Sequence, residues 1–372
     1  MLTFGFIMMA HNETAVIKRC LSSVRYLIDE YLIQTCEEDD QTAITAKELL
    51  DSWGKTGHII HRAWKNFGYN KSTLKLQSRA RLSTDYLIFL DAKETLVMSD
   101  RKPITLAGRK ILEDEIRANL DVNVFFTTTE CSGGTSVNSR WNIVKNDRLW
   151  MWKYPIHEQL RSSQPSKEYN LKSVINFVRR DGESGTSKAK YVYYTSLCLE
   201  YLETAEPSDK EGISHCTHYA AQSYADSGDT RNALVWYLKY IDLKTGDGYE
   251  YISRCKSGWY TRAFGNKEKG EELYLGAVKQ TPHLVLAYYD LCQHYIEDKR
   301  YEEAIVIGEK GLASYVNTGR HLFEDISVAR WRLRYQIGLA YFYSGKKREA
   351  LICFKMIKDP EDKVLKQIAL CK

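Results

Sequence analysis

Two carboxylates and a lysine follow five apolar residues in the stretch Asp85-Tyr86-Leu87-Ile88-Phe89-Leu90-Asp91-Ala92-Lys93-Glu94. A strand that delivers Asp91 to the carboxyl edge of a sheet could hold a ribose hydroxyl or a phosphate-bound cation. The same aspartate could equally cap the turn that follows. His157-Glu158 is a second titratable group, placed behind the aromatic run Trp150-Met151-Trp152-Lys153-Tyr154. It could serve a site or be a satisfied surface pair, and the aromatics before it could be core. His11-Asn12-Glu13 puts polar side chains at the end of the apolar opening Leu2 to Ala10. Asp40 stands just before a helix, where capping alone would account for it. His215 and His218 are spaced i, i+3 and could share a metal, but no third ligand lies nearby, so packing or surface roles suffice.

These groups need elements to position them, and the first half of the chain supplies a strand–helix alternation. Strands are expected at Leu2–Ala10, Tyr31–Thr35, His58–His61 and over the Asp91 stretch. Helices are expected over Ala15–Tyr26, through Ala43, Ala46 and Leu49, and over Asn70–Leu82. Less regular strands follow at Val122–Thr128, Trp141–Lys145 and Ser173–Val178. The alternation predicts a doubly wound α/β layer with a mostly parallel sheet, whose buried strands read as continuous apolar runs.

From about Ser187 the period becomes helical throughout and the chain repeats itself. Tyr224, Gly228, Ala233 and Tyr237 form one pattern; Gly265, Gly270, Tyr274, Ala277 and Pro282 a second. Tyr288, Leu291, Tyr295 and Ala304 form a third, and Ile337, Gly338, Tyr341, Gly345, Ala350 and Phe354 a fourth. The small residue recurs at 233, 270, 304 and 350, spaced by 37, 34 and 46 residues, which leaves room for an insertion around Val316 to Glu324. This pattern resembles that of tetratricopeptide helix pairs, in which small residues let helices approach and aromatics fill the gaps. Much of the tyrosine content, 26 residues, is then core rather than chemistry. Such a solenoid offers a curved face to a protein partner, to an acceptor or to a second copy.

Length and composition agree with two domains: 372 residues, 44% hydrophobic and 27% charged. A net charge of +5 mildly favours an anionic ligand and, without a clustered basic stripe, speaks against nucleic acid. No stretch reaches the ~18 apolar residues that span a bilayer. Met1 to Ala10 lacks a basic leader and reads as a core strand. Nine scattered cysteines with no CxxC pair point to reduced thiols and a cytoplasmic setting.

The ordered set Asn12-Glu13, Arg19-Cys20-Leu21-Ser22-Ser23-Val24, Asp40-Gln41-Thr42, Trp64 with Phe67, Leu90-Asp91-Ala92-Lys93-Glu94 and Ile156-His157-Glu158 resembles the inverting family 2 GT-A glycosyltransferases fused to tetratricopeptide repeats. The resemblance covers about the first 160 residues. It implies a GT-A domain over residues 1–185, Rossmann-like with a mostly parallel sheet, and an all-α TPR-like repeat domain over 186–372. It implies a UDP- or GDP-sugar donor held by His11, Asn12, Glu13, Asp40, Trp64, Lys71, Asp91 and Lys93. Asp91 and His157 would ligate Mn2+ or Mg2+. Glu158, with Glu130 as the second choice, would take the proton of a glycan or protein acceptor. Trp64, Trp150 and Trp152 are candidates to stack on sugar or acceptor, with core packing the equal alternative for each.

Three positions depart from the family pattern. Thr35 replaces the aspartate that contacts the nucleotide base. Lys71-Ser72 replaces Arg-Asn. Lys93 replaces the second aspartate of L-D-A-D-E, a cation ligand, so that either Glu94 or a water fills the coordination position or the Lys93 ammonium meets the diphosphate itself. A non-catalytic adaptor, with a degenerate GT-A domain and a partner-binding solenoid, is the alternative these departures support.

Overall fold

A computed structural model describes residues 1–372 apart from 37–40, 132–136, 148–149, 163, 180–186, 317–326, 359 and 372, with backbone only at 131 and 137–141. The chain divides into two compact units, Met1–Lys190 and Tyr191–Lys372. The boundary expected between 185 and 186 lies outside the described residues, as does most of the expected insertion around Val316 to Glu324.

In the first unit β1 (Phe4–Met9), α1 (Thr14–Val24), β2 (Glu30–Thr35), α2 (Gln41–Ser52), β3 (Thr56–His61), α3 (Phe67–Arg81) and β4 (Tyr86–Phe89) alternate as their apolar spacing predicts. There follow β5 (Glu94–Met98), α4 (Leu106–Arg117), β6 (Val124–Cys131), β7 (Val137–Lys145), β8 (Trp150–Lys153), β9 (Gln159–Ser162) and β10 (Glu168–Val178). Eight strands form one sheet in the order β3-β2-β1-β4-β7-β6-β10-β5, and β8 pairs with β9 in a separate ribbon. The sheet is mostly parallel; β7 and β5 run antiparallel to their neighbours.

Side chains alternate across the sheet and feed two cores. Phe4, Phe6 and Met8 of β1 pack with Ile17, Leu21 and Val24 of α1, Leu50 of α2 and Leu112 and Ile116 of α4. Ile7 faces the other way, to Leu74 of α3, Trp150 of β8 and Leu160 of β9. Arg109 of α4 ties the first core to the chain before β1 and β2: it donates to both oxygens of Asp29 at 2.9 and 2.8 Å and to the Leu2 carbonyl at 2.7 Å.

The second unit is helical. Helix α5 (Lys188–Thr204) begins in the last residues of the first unit and runs on into the second, and there follow α6 (Lys210–Ser227), α7 (Thr230–Asp242), α8 (Gly248–Ala263), α9 (Lys267–Gln280), α10 (Leu286–Glu297), α11 (Tyr301–Ser314), α12 (Leu333–Tyr343), α13 (Lys347–Lys355) and α14 (Asp362–Leu370). A π turn, Val328–Arg332, leads into α12. The pairs α6/α7, α8/α9, α10/α11 and α12/α13 are antiparallel hairpins that stack in order, a TPR-like repeat. Ala233, Ala304 and Ala350 are fully buried at the recurring small position. A Cβ on Gly258 would stand 2.8 Å from the Tyr274 ring, and one on Gly338 2.5 Å from Phe354. That contact is closer than any side chain allows, so the helices meet where the sequence puts its smallest residues. His215 and His218 are buried among Tyr219, Tyr237, Tyr240 and Tyr249, with His218 Nδ1 3.3 Å from Ser253 Oγ. They serve packing here. The eight cysteines whose side chains are described are free thiols.

Candidate functional site

Strand order reverses at β1: β2 lies on one side of it and β4 on the other. The carboxyl ends of β1 and β4 therefore part at a topological switch point, where open α/β sheets bind ligands. A hollow opens there, lined by Met9 from β1, Leu90 and Asp91 after β4, Lys71 and Leu74 from α3, and Trp152 from β8.

Backbone and side-chain bonds fix each wall. Asp91 is held in a tight turn in which its N–H donates to Glu94 Oε2 at 2.8 Å and its carbonyl accepts from Glu94 N at 2.9 Å. On α3, Ser72 Oγ donates to the Trp152 carbonyl at 2.7 Å and accepts from Trp152 N at 3.0 Å, which clamps β8 to the helix. One turn away, Gly68 lies so close to the Tyr154 carbonyl that a Cβ would be 2.0 Å from it. Asn70 Oδ1 accepts from Lys65 N and Asn66 N at 2.9 and 3.2 Å and orders the loop that carries Trp64.

These clamps bring together three charged groups. Lys71 Nζ donates to Glu158 Oε1 and lies 3.5 Å from Asp91 Oδ1, with the Trp152 ring centroid 5.1 Å away. The Lys71 and Glu158 side chains are each 12% exposed and Asp91 33%, so Asp91 is the more open member of the cluster. Burial alone would raise the Glu158 pKa. The Lys71 ammonium outweighs it and holds the carboxyl below its ordinary value. His157 next to it is lowered by the protein packed around it and by the Lys190 charge, against the pull of Glu158, although the residue keeps an exposed face. Asn12, Tyr154 and His157 have φ of 56°, 74° and 46°, three of the six non-glycine residues with positive φ among those described. Strain of this kind persists only where the surroundings impose it, and it often marks sites.

The other expected residues fall in different places. His11 and Asn12 are exposed just past β1, with Asn12 Nδ2 3.2 Å from His11 Nε2. Glu13 follows, its N–H donating to Thr42 Oγ1 at 2.8 Å, so Thr42 of the Asp40-Gln41-Thr42 motif is a tie between the β1 loop and α2. Asp40 lies outside the described residues. Thr35 is buried and 2.6 Å from His61 Nδ1, which closes it to a nucleotide base. Glu130 sits on β6, two strands from β4 or roughly 10 Å across the sheet, and pairs with Arg101 at 3.1 Å. Trp64 is exposed and meets Phe67 edge-on at 4.7 Å.

Two expectations are corrected. Trp150 is fully buried, with Nε1 donating to the Lys145 carbonyl at 2.9 Å, so it is core and cannot stack on a sugar. Glu94 is fully buried and spends its carboxylate on the Asp91 amide, so it does not complete a metal site. The lysine against Asp91 is Lys71; Lys93 is half-buried, and its charge lowers the pKa of Lys190, which burial already depresses. The hollow itself is about 20 Å³, on the scale of a water molecule.

The divalent cation implied at Asp91 and His157 does not fit these residues. Among the described residues no three His, Cys, Asp or Glu side chains gather to hold a metal. An ion bound to Asp91 would share that carboxylate with the Lys71 ammonium, a like charge 3.5 Å from Asp91 Oδ1.

No family model matches the chain, and no curated protein matches it. Solved structures do. BtubC (BKLC) from P. vanneervenii is 16% identical over 49% of this chain and 75% of its own, with a TM-score of 0.39. MamA from Desulfovibrio magneticus RS-1 is 16% identical over 44% of this chain and 84% of its own, at 0.35. A kinesin light chain with TPR-like repeats from Podosopora anserina is 14% identical over 50% and 86%, at 0.36. No helix among the described residues is long and apolar enough to cross a membrane.

Proposed function

We propose that the first unit binds a nucleoside-diphosphate sugar at the switch-point crevice and transfers the sugar to a glycan or protein acceptor, while the helical repeat holds a protein partner or a second copy. One observation carries this reading: three charged side chains from separate parts of the chain, Lys71, Asp91 and Glu158, meet at the carboxyl ends of β1 and β4. Leaving-group departure from an anomeric carbon needs preorganised positive charge, and inversion needs a base near the acceptor hydroxyl. Glu158 is ionised at neutral pH and takes the base role, weakly as long as Lys71 holds it. Glu130 is the second choice, at the same edge of the sheet.

The smallness of the hollow favours the second reading, an adaptor whose α/β unit has lost its site and whose repeat carries the function. Thermal melting with UDP- and GDP-sugars, with and without Mn2+, separates the two. A donor at a hundred times its Kd adds about 2.7 kcal/mol, or about 5–10 °C for a unit of this size. The enzyme reading expects such a shift with at least one donor. No shift with any of them sinks it and leaves the adaptor.

A further inference from the structure

We infer that Lys71 is the built-in cation of this crevice: a nucleoside diphosphate binds through its ammonium, and no divalent metal takes part. The inference rests on the nucleotide-sugar reading and deepens it. It is drawn from the disagreement between the cation that the motif order implies and the charges actually assembled.

Three features agree. The position that would supply a second carboxylate is Lys93, and the neighbouring Glu94 is buried on the Asp91 amide. Lys71 Nζ is already bonded to Glu158 and 3.5 Å from Asp91, so the carboxylates that could recruit a metal already share an ammonium from within the protein. The ammonium is also aimed. Its helix is locked to β8 through Ser72 and Trp152, and the Trp152 ring backs it at 5.1 Å.

The two carboxylates hold Lys71 unequally. Glu158 is tight and sheltered; Asp91 is longer and a third exposed, at the mouth of the crevice. An incoming phosphate oxygen exchanges with Asp91 for the ammonium and leaves Glu158 as the anchor. The Asp91 carboxylate so released accepts from a ribose or sugar hydroxyl. Lys71 thus meets the phosphate as a point charge with several donors, and Asp91 is a positioning residue for it.

The test is calorimetric titration of the full chain with UDP and with GDP, in EDTA and in Mn2+, for the wild type, Lys71→Met and Lys71→Arg. The expected result is wild-type affinity equal within twofold in the two buffers. Lys71→Met should weaken binding in EDTA at least tenfold, and Lys71→Arg should restore it to within a few-fold. Wild-type binding that appears only with Mn2+ overturns the inference and leaves the nucleotide-sugar reading standing, as does undiminished binding by Lys71→Met. No binding of either nucleotide in either buffer overturns both. If Lys71→Met shows no cooperative melt, the wild-type EDTA titration and Lys71→Arg still decide.

Discussion

Lys75 stands one helical turn beyond Lys71 on α3, fully buried, and its Nζ has no hydrogen-bond partner among the described residues. Burial, and secondarily the charge of Arg79, lowers its pKa to about 8. A base whose folded pKa is depressed carries its cost in the charged form. That cost is full below about pH 8 and fades as the pH climbs toward the unfolded lysine value near 10.4. Lys75→Met should therefore stabilise the first unit by roughly 2 kcal/mol at pH 7, with the gain shrinking by pH 10. Melting temperatures of both proteins at the two pH values check this, and an equal gain at both would refute it. At this scale the sequence was only partly legible. Asp91 and His157-Glu158 stand out because charge follows an apolar or aromatic run. Lys71 bonds a partner 87 residues away, and no local pattern encodes such a pair. Its one signal was the Lys71-Ser72 departure from the motif order.

The strand–helix alternation up to β4 could be read from apolar spacing because each element packs one face or is buried outright. The ribbon β8–β9 could not. Trp150, Trp152 and Leu160 pack beneath the sheet rather than in it, and their aromatic run carries no period long enough to identify a strand. Helix α4 did carry a signal, with Thr105 capping Gly108 N at 3.3 Å and Leu112 and Ile116 at helical spacing. It is not among the helices expected above and lies between two strands of the same sheet. The meeting of α3 with the chain after β8 gives the sharpest test at this scale. Gly68 has no φ that demands glycine; what demands it is the Tyr154 carbonyl, 2.0 Å from where a Cβ would be. Gly68→Ala must push the segment carrying Tyr154, His157 and Glu158 away from α3, loosening Glu158 from Lys71. Overpacking of this kind costs about 1–3 kcal/mol. Denaturant melts should show that loss, together with weakened nucleotide binding if the crevice is the binding site. A melt indistinguishable from wild type would mean the two segments are not in contact.

Each of the two units has cores of its own. In the first, the sheet is packed on both faces. In the second, Tyr251, Tyr274, Tyr288 and Leu333 lead a core that runs from α8 to α12, with smaller clusters around Tyr237 and Phe354. The change of period near Ser187 is legible because repeats bury their apolar faces on neighbours and must restate them every repeat; the 46-residue last spacing blurs that signal. A unit with its own core should fold alone. Residues 186–372 keep all of α5 and every helix after it, so this fragment should be helical by circular dichroism. It should melt cooperatively within about 5 °C of the corresponding transition in the whole chain, since repeat stability is set by nearest-neighbour interfaces. A fragment that is unfolded, or that melts far below the whole chain, would show that the repeat depends on the α/β unit. The repeat could not then be a module joined to it, and partner binding and crevice chemistry would have to be treated as one property.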